Sequence, residues 1–148
     1  WIMGMHLESL GVRMERHCAN ALAVAKWLES DPRVSWVSFP GLESDKYHTL
    51  AEKYMPNGTC GVISFGVPGG REKVSAFLDH LKMVSIATHV ADARSCTLYP
   101  AGTTHRQLTE EQLEEAGVGI DLVRLSCGIE NADDIIADLD QALAAVQE

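Results

Sequence analysis

Arg124 is the residue whose placement most demands a chemical reason. It sits inside the apolar run Ile120–Cys127, flanked by Leu122, Val123 and Leu125. A permanent guanidinium charge there needs a partner or an exit to solvent, because unpaired burial costs several kcal/mol. Two kinds of partner fit. One is an internal Asp or Glu; the other is a carboxylate brought by a ligand, which the planar guanidinium grips through two parallel hydrogen bonds. Ser95, Thr97, Thr103, Thr104 and His105 are small donors on short connections that follow strands, where a rigid scaffold presents groups to a ligand. If these loops lie near Arg124, their hydroxyls and backbone N–H groups complete a carboxylate pocket.

The other reactive side chains read as structure. The six histidines, His6, His17, His48, His80, His89 and His105, form no metal-spaced pair, and His48 and His80 belong on solvated helix faces. Cys18, Cys60, Cys96 and Cys127 show neither C-x-x-C spacing nor a paired histidine, so a zinc site and a redox dithiol are both disfavoured. Each reads as a small core residue, a usage that fits a reducing cytosol. Gly66–Gly70, GVPGG, matches neither glycine-rich phosphate pattern and reads as a turn. Ser95 and His105 could serve as nucleophile and base, but no G-x-S-x-G elbow surrounds Ser95.

Composition narrows the classes further. The 148 residues can bury one sizeable core, and 46% hydrophobic with 22% charged residues is an ordinary globular balance. A formal charge of -9 repels phosphate backbones and anionic lipid, which argues against nucleic-acid and membrane-surface roles. No apolar run reaches the roughly 20 residues that span a bilayer. The start lacks the features of a signal peptide, and opening on Trp1 suggests a piece of something longer.

Elements that could position these residues follow from periodicity. From His6 to Ser30, Leu10, Met14, Cys18, Ala21, Leu22, Ala25 and Leu28 recur at helical spacing, giving one long amphipathic helix ended by Asp31-Pro32. Strands are expected at Arg33–Phe39, Cys60–Val67, Met83–Val90, Ser95–Leu98 and Ile120–Cys127, the second covered on both faces. Helices are expected from Tyr47, with Leu50, Ala51 and Tyr54 on one side; over Arg71–Leu81; after Thr109, where Gln112 completes a capping box; and after Asn131. Gly117 is placed to stop the third of these. Interleaved in this order, the elements predict an α/β chain of the α+β type. It has about five strands in a mostly antiparallel or mixed sheet, with helices chiefly on one face.

Three separated motifs, HLESLGVRMERHCANALAVAKWLE, HVADARSCTLYPAGTTHRQLTEEQ and GIDLVRLSCGIEN, resemble successive motifs of the pyridoxal-phosphate enzymes of cysteine and methionine metabolism. Within that family the likeness is greatest to the O-acetylhomoserine sulfhydrylases. The resemblance implies the C-terminal small domain of a fold-type I enzyme, residues 32–148, preceded by an interdomain connecting helix, residues 1–31. The family's cofactor-bearing lysine lies upstream, and none of Lys26, Lys46, Lys53, Lys73 or Lys82 matches it. Pyridoxal 5'-phosphate is therefore expected in the full-length enzyme, not covalently on this chain, which should be inactive alone.

The same resemblance assigns residues. Arg124 matches the arginine of the family's RLS-x-GIE motif, which holds the substrate α-carboxylate. Ser95 matches the serine of D-A-x-S and implies a further carboxylate contact; Thr104 matches the threonine of a T-H pair that orders the pocket. The family more often has His where this chain has Tyr99, and Ser where it has Gly102. The implied reaction is γ-replacement, making homocysteine from O-acetylhomoserine and sulfide in a cytoplasmic homotetramer whose large domain is the missing partner. Cystathionine γ-synthase, cystathionine γ-lyase or methionine γ-lyase chemistry is the alternative within the family, and a freestanding binding or assembly module the alternative outside it. Without a ligand, Arg124 is expected to be partly exposed or turned onto Asp92 or Glu130.

Overall fold

The computed structural model describes residues 1–147. Two helices open the chain, α1 (Ile2–Glu8) and α2 (Leu10–Ser30), where a single helix from His6 was expected. Helical geometry lapses at Ser9 (φ −100°, ψ 6°), and α1 buries none of its residues. The buried side of α2 is His17, Asn20, Ala21, Val24, Ala25 and Leu28, while Leu10 and Met14 of the expected stripe are exposed. The alanines let the second half of the helix approach the sheet closely. Asp31 then turns extended (φ −88°, ψ 119°), as a residue before proline must.

Five strands form one mixed sheet in the order β1-β2-β5-β4-β3: β1 (Val37–Ser38), β2 (Val62–Gly66), β3 (Ser85–Ile86), β4 (Cys96–Leu98) and β5 (Leu122–Ser126). All neighbours run antiparallel except β3 and β4, which are parallel. Two strands are much shorter than their β-prone sequences predict. Arg33–Phe39 pairs as a strand only over two residues, and Met83–Val90 only at Ser85–Ile86, because beyond Ala87 the chain leaves the sheet edge. The other helices are α3 (His48–Tyr54), α4 (Gly70–Asp79), α5 (Glu110–Glu115) and α6 (Ala132–Ala145).

One sheet face carries the core. Ile63 and Phe65 of β2 and Val123 and Leu125 of β5 point into it, under α2, α4 and α6. Phe65 meets Phe77 of α4 edge to face, centroids 6.1 Å apart. Strand β2 is covered on this face only, since Val62 and Ser64 on the other are half-buried. In α3 only Ala51 is buried; Leu50 and Tyr54 face solvent.

Local signals in the sequence hold well. Thr109 Oγ1 accepts from Gln112 N (3.3 Å) and Gln112 Oε1 accepts from Thr109 N (2.9 Å), closing the expected capping box. Gly117 adopts φ +69°, and Asn131 caps α6 by accepting from Asp133 N. GVPGG is a turn: Gly69 and Gly70 take φ +116° and +80° at the start of α4. Among the described residues no helix is long and apolar enough to cross a membrane.

Candidate functional site

Strand alternation decides where Arg124 points. Val123 and Leu125 are spent on the core, so Leu122, Arg124 and Ser126 face the other side of the sheet. Register places Arg124 opposite Ser64 on β2 and Leu98 on β4, with Ser38 of β1 opposite Ser64 in turn. Arg124 is half-buried there, with its guanidinium at the surface.

Residues 87–94, of which 87–90 were expected to continue a strand, fold over this face instead. Arg124 Nη2 donates to the carbonyls of Thr88 (3.0 Å) and His89 (3.4 Å). Ser126 Oγ accepts from Ala91 N (3.0 Å), and the Cys96 thiol donates to His89 O (3.1 Å). Three neighbouring side chains on the face thus hold one loop, and Ala91 sits in the left-handed region (φ +58°), which costs a residue with a Cβ about 1 kcal/mol.

No carboxylate pairs with Arg124 among the described residues. Asp92 lies 3.6 Å from Arg94 Nε and accepts from Arg94 N, while Glu130 is engaged by Ser95, so neither receives the arginine as expected. Partial exposure is what the structure shows. Nη2 is fixed by two carbonyls, and Nε and Nη1 have no partner among the described residues, leaving donors free for an incoming anion.

Ser95 lies at the opposite end of β4 from Leu98, about 10 Å along the strand from the Arg124 row at ~3.3 Å per residue. Its side chain is buried and occupied: Oγ donates to Glu130 Oε2 (3.0 Å) and accepts from Gly128 N (2.8 Å). A serine hydroxyl has one proton, so while that proton rests on Glu130 it cannot also reach a ligand. Thr104 is exposed, and its Oγ1 meets only the neighbouring His105 Nδ1 (2.9 Å). The structure therefore brings Ser95 to the turn after β5 and leaves Thr104 on a separate turn without a bond to Arg124.

Helix α2 supports that turn, which periodicity did not reveal. Asn20 Nδ2 donates to Gly128 O (2.9 Å) and Glu130 O (2.8 Å), and buried His17 Nδ1 lies 2.6 Å from Cys127 O. Two polar side chains on the core-facing side of an otherwise alanine-rich helix were the available signal. The carbonyls of Thr88 and His89 carry no side-chain signal at all. Of the cysteines, Cys96 and Cys127 are buried as expected, whereas Cys18 and Cys60 are half-exposed. Burial pushes the Cys127 thiol up to about 12, with nearby Glu130 adding to the effect, so it is no nucleophile at neutral pH.

The sequence profile described as Cys/Met metabolism PLP-dependent enzyme matches residues 1–144. The chain belongs to that family. It is 52% identical over 137 residues to the homocysteine synthase of Schizosaccharomyces pombe, covering 93% of this chain and 32% of that protein. It is 44% identical over 144 residues to the O-acetyl-L-homoserine sulfhydrylase of Leptospira meyeri, covering 97% and 33%. A crystal structure of a putative O-acetylhomoserine (thiol)-lyase from Campylobacter jejuni, which carries an N'-pyridoxyl-lysine-5'-monophosphate, superposes with a TM-score of 0.87 at 42% identity, over 93% of this chain and 33% of that one. The chain thus spans about a third of the length of these relatives.

PLP-dependent enzymes hold their cofactor on a lysine, and this chain has five lysines. Lys26, Lys46, Lys53, Lys73 and Lys82 stand on helices or the turns beside them, none on the strand face of Arg124. Lys46 and Lys53 lie over the neighbouring rings of Tyr47 and Tyr54 (4.8 and 5.0 Å). What the strand face of Arg124 offers is a half-buried cation on a fixed backbone.

Tyr99 and Gly102 fit one another. Tyr99 is buried, its hydroxyl donating to Ile120 O (2.8 Å), and a Cβ on Gly102 would come within 2.5 Å of the Tyr99 ring. A tyrosine here therefore requires glycine three residues on. We expect Gly102→Ser to destabilise the protein by about 1–3 kcal/mol through overpacking, and the same substitution to cost much less in a Tyr99→Ala background, where no ring opposes the new Cβ. Denaturation midpoints of the two single variants and the double variant measure the coupling; additive losses would contradict it.

Proposed function

We propose that this chain supplies the substrate-carboxylate grip of a PLP-dependent transferase that makes homocysteine from O-acetylhomoserine and sulfide by replacement at the γ-carbon. The observation that carries the reading is Arg124: in a chain of net charge -9 its guanidinium has no acidic partner among the described residues and keeps free donors at the surface. The names and identities of the relatives support the reaction class.

In this reading Arg124 binds the α-carboxylate, and the carbonyls of Thr88 and His89 set the plane of the guanidinium before substrate arrives. Holding the carboxylate fixes the rotation of the substrate about its Cα bonds, so that the bond to be broken is presented at a constant angle. The cofactor, when bound to the upstream part, supplies the electron sink. Ser95 contributes through its hold on the end of the 87–94 loop, and Thr104 by ordering the turn after β4. Residues 1–31 serve as the connecting helix and 32–148 as the small domain. The exposed apolar side chains Trp1, Ile2, Met3, Leu7 and Val12 are the surface on which the upstream large domain rests. The whole enzyme is a cytoplasmic homotetramer.

The direct test gives the full-length protein, loaded with pyridoxal phosphate, either O-acetylhomoserine with sulfide or cystathionine alone. Homocysteine and acetate from the first, with little turnover of the second, is the expected outcome. Preferential cleavage of cystathionine would replace this reading with a γ-lyase one.

A further inference from the structure

We infer that Glu130 is a positioning residue for the Arg124 site, acting through Ser95; the inference rests on the reading of Arg124 as the carboxylate grip. Glu130 Oε1 accepts from Ser95 N (2.6 Å) and Oε2 from Ser95 Oγ (3.0 Å), while that hydroxyl accepts from Gly128 N (2.8 Å). One carboxylate thereby joins the residue that enters β4 to the turn that leaves β5. The turn is held from behind, since Asn20 of α2 takes the carbonyls of Gly128 and Glu130, and Ile129 N donates to Ala93 O (2.9 Å). The approach is close enough to require glycine: a Cβ at Gly128 would lie 2.5 Å from both Ala93 O and Ser95 N.

Ser95 is one foot of the loop that orients the arginine. The other foot is Ala87, whose N–H donates to Thr97 O (2.9 Å). Between the feet lie the Thr88 and His89 carbonyls that hold Arg124 Nη2. If Glu130 is removed, the Ser95 amide and hydroxyl lose their acceptor inside a buried site, and the loop is free to shift its carbonyls relative to the guanidinium.

Charge makes this role distinguishable from an electrostatic one. Glu130 forms no ion pair among the described residues, so near a site for an anion its charge alone opposes binding. If charge were its whole influence, neutralising it would tighten substrate. If position is its role, losing the carboxylate weakens substrate although a repelling charge has gone. Glu130→Gln separates the two: the amide oxygen can still accept from Ser95 N while the amide N–H donates to Ser95 Oγ.

The experiment compares KM and kcat for O-acetylhomoserine in the full-length holoenzyme and its E130A, E130Q, S95A, E130A/S95A and R124A variants. E130A should raise KM about tenfold with kcat within about threefold of the wild type. E130Q, which keeps the acceptor for Ser95 N but not for the Ser95 hydroxyl, should recover part of the loss in KM. The double variant should be no worse than E130A alone, because both changes break one linkage. An E130A enzyme whose KM equals or falls below that of the wild type overturns the inference, as does additivity in the double variant. Should E130A not fold, S95A decides: a raised KM at nearly unchanged kcat supports the linkage, and an unchanged KM refutes it. R124A separates the two claims. If it too leaves KM unchanged, the reading of Arg124 has failed; if only the Glu130 and Ser95 variants are silent, the positioning inference alone has failed.

Discussion

Arg124→Ala in the full-length enzyme is expected to raise KM for O-acetylhomoserine by about a hundredfold or more, since hydrogen bonds between charged groups contribute ~1.5–3 kcal/mol each and two are lost. The fold should survive the change. Arg124 is half-buried on the open face of β5, its removal frees the Thr88 and His89 carbonyls to meet water, and its strand neighbours Val123 and Leu125 keep the core intact. Arg124→Lys should recover only part of the loss, because an ammonium on a flexible stem cannot both reach the two loop carbonyls and present a flat edge to a carboxylate. Steady-state kinetics on the two variants checks this, with thermal unfolding as a control. A KM for Arg124→Ala within twofold of wild type would remove the arginine from the site.

The largest expected effect on stability comes from Asp138. It lies on the inner side of α6, 6% exposed, and its carboxylate accepts from three consecutive backbone amides, Lys82 N (2.9 Å), Met83 N (2.9 Å) and Val84 N (2.8 Å). Those amides lead the chain from α4 into β3 and have no strand partner of their own. Asp138→Ala leaves all three without an acceptor in a buried place, a loss of about 3–5 kcal/mol. Asp138→Asn keeps one acceptor oxygen but turns an N–H₂ toward amides that also donate, and should cost about 1–3 kcal/mol.

Burial pushes the Asp138 carboxyl up, but the three amides and Gln141 pull harder, so it lies below its ordinary value of 3.8. A carboxyl depressed on folding contributes stability that is fully present above that ordinary value and is lost as pH falls through the folded one. Asp31 behaves alike: its bonds from Arg33 lower it against the opposing effect of burial. Because Asp31 is unchanged in Asp138→Asn, the difference in urea midpoint between wild type and that variant isolates Asp138. It should be constant near neutral pH and shrink as pH falls below about 4. A midpoint for Asp138→Ala equal to that of the wild type would dismiss the three-amide account.

Legibility in the sequence divided along the range of the interactions. The capping box of Thr109 and Gln112, the Asn131 cap and the Gly117 stop are each made by residues within a few positions of one another, and all are present. Strand ends were not legible, because Met83–Val90 is β-prone throughout. The ladder stops at Ile86, and Arg124 and Ser126, distant in sequence, with Cys96, seven positions from His89, hold the backbone of the loop that follows. The stripe of α2 was read from apolar residues alone; its buried side instead includes His17 and Asn20, which hold carbonyls more than 100 positions away. Arg124 stood out because a charge in an apolar strand contradicts its surroundings. Glu130 did not, since a carboxylate after a strand is ordinary until Ser95 is seen against it.

The central claim is that Arg124 reads the negative charge of the substrate carboxylate, and substrate chemistry tests it most directly. Wild-type enzyme and Arg124→Ala should each be given O-acetylhomoserine and its neutral α-carboxamide, and kcat/KM compared for the four combinations. The wild type should prefer the acid by about a hundredfold, and the variant should prefer neither by more than about threefold, since the group that distinguishes them has been removed. A variant that kept the wild-type preference would place the carboxylate elsewhere and contradict the account.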